Sequence, residues 1–198
     1  MMRSVSARLI ASIFLLSLPA YSPDPPDCPI DQNALLSLTP EKFDQDLMGG
    51  WRKLAAKPGC EEAAASLIQK YIEVNADTIP IGSLHPMYWH VGQLKAFAGD
   101  SEGAIPFLMA GVNPSQRGRD IGFHHYAQGT MAFLDGDLAG LKAARDRLSA
   151  LPKPDWFATQ PAKGRILNWP LNLGVLEGLI RCFGHPYTVA YGDACPED

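Results

Sequence analysis

The chain is poor in charge and has no block of either sign. Charged residues make up 19% of its 198 positions, with 17 Lys+Arg against 21 Asp+Glu, for a formal net charge of −4. The nearest approach to a basic cluster is the scattered pair Arg117 and Arg119. A surface that follows phosphates needs clustered Lys and Arg, so no nucleic-acid partner is expected. The same shortage leaves a peripheral membrane anchor without support. Long apolar runs are missing too. The longest, Leu9–Leu18 (LIASIFLLSL), has ten residues, whereas a membrane-spanning helix needs about 20. No cysteine pair has C-x2-C spacing, no serine sits in a G-x-S-x-G setting, and no glycine-rich loop cradles a phosphate. These patterns imply no cofactor and no metal site.

What is present begins with that short apolar run. Arg3 and Arg8 precede or open it, and Pro19-Ala20-Tyr21-Ser22 follows with small residues. This order is that of a secretory leader over residues 1–22, cut after Ala20 or Ser22; a buried N-terminal helix is the alternative. No cysteine stands at the junction, so a lipid anchor is not expected. Removing the two arginines leaves 15 basic residues against 21 acids, or −6. Cys28, Cys60, Cys182 and Cys195 all lie beyond the leader. An even cysteine count behind a leader points to disulfides in an oxidising compartment, periplasmic or secreted. Three pairings are possible for four cysteines. Cys28–Cys60 with Cys182–Cys195 is preferred because the partners in each pair are near in sequence.

Residues 23–38 read as a Pro-rich arm, and 39–198 as one all-α domain. Thr39-Pro40-Glu41 opens a helix with Phe43, Leu47, Trp51 and Leu54 on one face. Gly49-Gly50 falls inside it, either for close helix approach or as a kink. Pro58-Gly59 stops it, and a second helix from Glu61 carries Ala64, Leu67, Ile68, Tyr71 and Ile72. Residues 75–86 read as a connection. A helix over about Met87–Ala98 then leads through Gly99-Asp100 to one with Ala104, Ile105, Leu108, Met109 and Val112, which Pro106 should shorten or bend. A third unit carries Tyr126, Met131 and Phe133, turns at Gly136-Asp137, and continues with Leu138, Leu141, Leu148 and Leu151 to Pro152. The hairpins thus span about 39–75, 86–114 and 122–152. After a loop over 152–168, in which Trp156-Phe157 folds back, comes an apolar C-terminal helix over 168–184. Its Gly174 and Gly178 let another helix approach, and 186–191 form a helical stub.

The second unit carries Trp89, Gly92, Gly99, Asp100, Ala104 and Pro114. The third carries Tyr126, Gly129, Gly136, Asp137 and Pro152. The Gly-Asp turns are 37 residues apart (136 − 99), in the range of helical-hairpin repeats. On these residues the chain resembles the tetratricopeptide repeats. That resemblance implies antiparallel hairpins stacked as a short α-solenoid, closed by the C-terminal helix. It also implies a protein or peptide partner in a groove lined by first helices, where Trp89, Gln93, Tyr126 and Thr130 would lie.

Packing between helices is the other role open to Trp89 and Tyr126, since large aromatics at helical spacing commonly form core. Among His85, His90, His124, His125 and His185, a site from His90 and His125 with Asp120 nearby is the enzymatic alternative, a small metal-dependent or general-base hydrolase. His124 and His125 are adjacent, diverge by about 100° on a helix, and do not easily share an ion. The expectation is an exported protein that binds a protein or peptide. A hydrolase and a structural subunit of an envelope assembly stand behind it.

Overall fold

The two Gly-Asp turns fold identically, and each ends one helix and starts the next. The computed structural model describes residues 27–112, 120–158 and 168–196. The expected leader, Pro114, Arg117, Arg119 and most of the 152–168 loop lie outside these. Helix α4 (Ile81–Phe97) runs into α5 (Ser101–Gly111), and α6 (Ile121–Leu134) into α7 (Leu138–Ser149). Gly99 and Gly136 have φ of +88° and +74°, the left-handed conformation that glycine adopts without a Cβ penalty. That turn lets the Asp100 amide donate to the Lys95 carbonyl at 2.9 Å and the Asp137 amide to Ala132 at 2.8 Å. Each aspartate then caps the following helix, accepting from the amide of Gly103 or Gly140 at 2.8 Å. A Cβ on Gly103 or Gly140 would meet its own capping carboxylate, so the working motif is G-D-x-x-G.

The described residues are helical, with no strand among them. Besides those four helices there are α1 (Gln32–Leu36), a π-helical turn (Glu41–Gln45), α2 (Arg52–Ala55), α3 (Glu61–Val74), α8 (Asp155–Ala158), α9 (Leu173–Arg181) and α10 (Tyr187–Tyr191). None is long and apolar enough to cross a membrane. Helix α4 is the hub. Its Met87, Val91 and Leu94 enter an N-terminal core with Phe43, Tyr71 and Leu54, while Trp89 and Ala96 enter a C-terminal one with Leu108, Tyr126 and Leu176. A helix buried on two sides is apolar most of the way round. Helix α9 covers α6 and α7, and α10 packs on α9 and α4. Gly92 faces Leu108, and Gly129 faces Leu176, so the small residues of both units admit a leucine from a neighbouring helix.

Several boundaries differ from the sequence expectation. The helix expected from Thr39 to Pro58 is broken after Gln45, where Asp46 has ψ of 107°. Phe43, Trp51 and Leu54 are still buried, but Leu47 is 71% exposed; the break takes it off their face. Of the two readings of Gly49-Gly50, the interruption holds, with Gly50 at φ +54°. The arm is not wholly irregular, since Asp31 caps α1. Helix α4 begins at Ile81, ahead of Met87, and runs through Pro86. The carbonyl that Pro86 leaves without its intrahelical donor belongs to exposed Gly82 and can bind water. Helix α5 likewise continues five residues beyond Pro106 to Gly111. The C-terminal helix is shorter than 168–184, and the close approach uses Gly178, 3.1 Å from the Ala190 carbonyl at its notional Cβ; Gly174 meets nothing. Trp156 and Phe157 do fold back, meeting Trp169 at ring distances of 5.8 and 5.2 Å.

Cysteine pairing is Cys28–Cys60 and Cys182–Cys195. The first closes a 32-residue separation and ties the arm to the start of α3. Loop closure of that length restricts the unfolded chain by an amount worth about 3–4 kcal/mol. The unreduced protein is expected to weigh about 4 Da less than its fully reduced form. Cys28→Ser with Cys60→Ser should lower the urea midpoint modestly more, by the equivalent of about 1 kcal/mol, than the Cys182–Cys195 pair replacement, whose loop spans 13 residues. Equal midpoints for the two double variants would remove the loop-length account.

Candidate functional site

The strongest polar cluster is assembled from the π-helical turn, α2 and α4. Asp44 follows the core residue Phe43 and is itself only 1% exposed. A carboxylate so placed must find donors. Its Oδ1 accepts from the indole nitrogen of Trp51 at 2.9 Å and from Nδ1 of His90 at 2.7 Å; Gln45 donates to Oδ2. Burial alone would push the Asp44 carboxyl up. The hydrogen bond and charge of His90, with the Trp51 and Gln45 donors, outweigh burial and hold it below the ordinary carboxylate value. Arg52 donates to the Asp44 carbonyl and lies over the Trp51 ring at 4.2 Å. Its guanidinium is lowered from the usual range by desolvation, against the opposing pull of Asp44 and Asp46.

The Asp44 bond fixes the tautomer of His90. Because the carboxylate accepts, Nδ1 carries the proton, and in the neutral ring Nε2 is the free lone pair. Among the described residues Nε2 has no protein partner. His90 borders a cavity of about 320 Å³ whose wall also includes Arg52, His85, Asp120, Phe123 and His124. His85 is oriented in the same way, its Nδ1 lying 2.9 Å from the Ala110 carbonyl, so its Nε2 is likewise the open nitrogen. Asp120 caps α6 through the Phe123 amide at 3.1 Å. Trp89 and Phe123, with ring centroids 4.8 Å apart, form an aromatic part of the same wall. The arrangement can accept and donate hydrogen bonds and exchange a proton at His90. It does not frame a metal centre: among the described residues only Cys182, Asp193 and Cys195 bring three ligand atoms within 4.8 Å. The two sulfurs of that group are bonded to each other.

Of the groove residues expected from the sequence, Trp89 reaches the wall of this cavity, and Gln93, Tyr126 and Thr130 do not. Trp89, Tyr126 and Thr130 are buried, at 6%, 3% and 0% exposure, because α5, α9 and α10 cover the faces expected to be open. Tyr126 sits among Tyr187, Tyr191 and Thr130, and burial, then the neighbouring tyrosines, pushes its phenol far up. Gln93 is half-buried and donates to the Tyr126 hydroxyl at 3.4 Å. His90 and His125 are not brought together. His125 Nδ1 lies 3.4 Å from Gln128 Oε1 instead, while its neighbour His124 takes the cavity side. Asp44 and Arg52 were not singled out from the sequence. No helical period signals the contact of Asp44 with Trp51, because the chain between them leaves the helix after Gln45. Comparison with protein-family models, with curated proteins and with solved structures found no match.

Proposed function

We propose that this is an exported helical-hairpin protein that recognises a small polar molecule in the His90 cavity. The observation that carries the reading is the buried Asp44 carboxylate, which orients His90 and leaves Nε2 without a partner among the described residues, at the wall of a cavity the size of a metabolite. A binding site of this kind is concave, partly aromatic, and contains a few fixed polar groups. Export is supported by the leader pattern and by the two disulfides. A tetratricopeptide-like stacking is supported by the matched Gly-Asp turns and by the leucines opposite Gly92 and Gly129. A peptide groove would need a face other than the one formed by Trp89 and Tyr126.

The test is equilibrium dialysis of the folded protein against extract of its native compartment, read by mass spectrometry. Wild type is expected to retain a low-mass compound that His90→Gln, checked for folding by circular dichroism, does not. Equal retention by both, or none by wild type, would overturn the reading. The Asp44–His90 geometry also favours a second one, in which Nε2 activates a water for hydrolysis. In that case the compound is depleted with wild type and a cleavage product accumulates, again only with His90 intact.

A further inference from the structure

The cavity wall carries two formal charges, Arg52 and Asp120, that form no ion pair with each other. Asp44 is already satisfied by three donors behind the wall. Arg52 is fixed by the Asp44 carbonyl and the Trp51 ring, which leaves guanidinium N–H groups for a ligand. Asp120 spends one oxygen on the Phe123 amide and retains the other. A simple anion would meet the Asp120 carboxylate, and a simple cation would meet Arg52. A ligand bearing both charges satisfies both groups.

A second observation bears on the uncharged part of that ligand. Asp120 and Phe123 also border an adjoining cavity of about 380 Å³, walled by Leu148, Leu151, Trp156 and Trp169. The polar cavity therefore shares a boundary with an apolar one, and the acidic group stands at that boundary. Resting on the His90 cavity being the working site, we propose that the ligand is a small zwitterion with an apolar side chain, that is, a free apolar amino acid. Its carboxylate pairs with Arg52. Its ammonium pairs with Asp120 and donates to the open Nε2 of a neutral histidine. Its side chain passes Phe123 toward the apolar cavity. The volumes suit a single residue and not a folded partner.

Calorimetric titration of the full chain with phenylalanine, 3-phenylpropionate and phenethylamine tests each charge separately. Phenylalanine is expected to bind about tenfold or more tightly than either analogue, as a charged hydrogen bond at a partly enclosed site requires. Asp120→Asn retains a good helix cap and should cut the preference over 3-phenylpropionate to about twofold or less. Arg52→Gln should do the same for the preference over phenethylamine. Equal binding of the three probes, absence of phenylalanine binding, or preferences unchanged in both variants would overturn the proposal. The dialysis above separates this failure from that of the site itself. His90-dependent retention of a neutral or singly charged compound removes the zwitterion and leaves the cavity; no His90-dependent retention removes both.

Discussion

Replacing Asp44 with alanine is expected to cost about 3–5 kcal/mol of folding stability, the range for removing one partner from a buried charged pair. The carboxylate accepts from Trp51, His90 and Gln45, and alanine would leave the buried Trp51 indole and half-buried His90 without that acceptor. Asn at the same position keeps the shape and one acceptor oxygen. Its cost should be nearer the 1.5–3 kcal/mol of a hydrogen bond to a charged group. A double-mutant cycle of Asp44→Asn with His90→Gln should show a coupling of about 1–3 kcal/mol, since the groups touch. Additive midpoints in urea would mean that the contact carries no stability.

The pH dependence of that difference has a definite sign. Asp44 is held below its ordinary value in the folded chain. Its contribution is therefore fully present above the unfolded carboxylate value of about 4 and is lost as pH falls through the lower folded value. The gap between wild type and Asp44→Asn is expected to be full at neutral pH and to close in strong acid. A gap that widened with acid would reverse the assignment of Asp44 as the charged partner.

Local chemistry was legible in the sequence where one segment decides it. The Gly-Asp turns, the hydrophobic periodicity of α3 and α7, and the proximity of the cysteine partners all depend on residues close along the chain. Where an element answers to two neighbours, the sequence leaves two roles open. Trp89 and Tyr126 have a spacing that suits a groove and inter-helix packing alike; α4 is buried on both sides, and only the positions of α9 and α10 decide for packing. The Asp44–His90 contact joins residues 46 apart, and no local period encodes it. The cavity is more remote still, since its walls come from the Asp44 turn, α2, the α4–α5 hairpin and the entrance to α6. Whether His124 or His125 turns toward the His90 cavity is hidden for the same reason: adjacent residues on a helix point about 100° apart, and tertiary packing decides which one does.

Gly50→Ala is expected to be more damaging than alanine at either Gly-Asp turn, and the comparison separates two causes. Gly99 has φ of +88°, yet a Cβ there would meet nothing within 4 Å. Its alanine variant therefore bears only the left-handed backbone penalty of about 1–2 kcal/mol. Gly50 has φ of +54°, and its Cβ would also sit 1.9 Å from the Phe43 carbonyl oxygen and 2.9 Å from that of Lys42. Both obstacles are backbone and cannot rotate aside, which adds about 1–3 kcal/mol of overpacking. The Phe43 carbonyl accepts from the Trp51 amide at 3.4 Å, the link that brings the Trp51 indole back to Asp44. Alanine at Gly50 should thus open the loop between the π-helical turn and α2 and release His90 from its acceptor. Thermal unfolding should drop by roughly 5–15 °C for Gly50→Ala, at about 2–4 °C per kcal/mol in a chain of this size. Ligand retention in the dialysis should fail in Gly50→Ala, even below its melting temperature, and persist in Gly99→Ala. If both variants lose the ligand equally, the cavity depends on general stability and not on the geometry of the Asp44 turn.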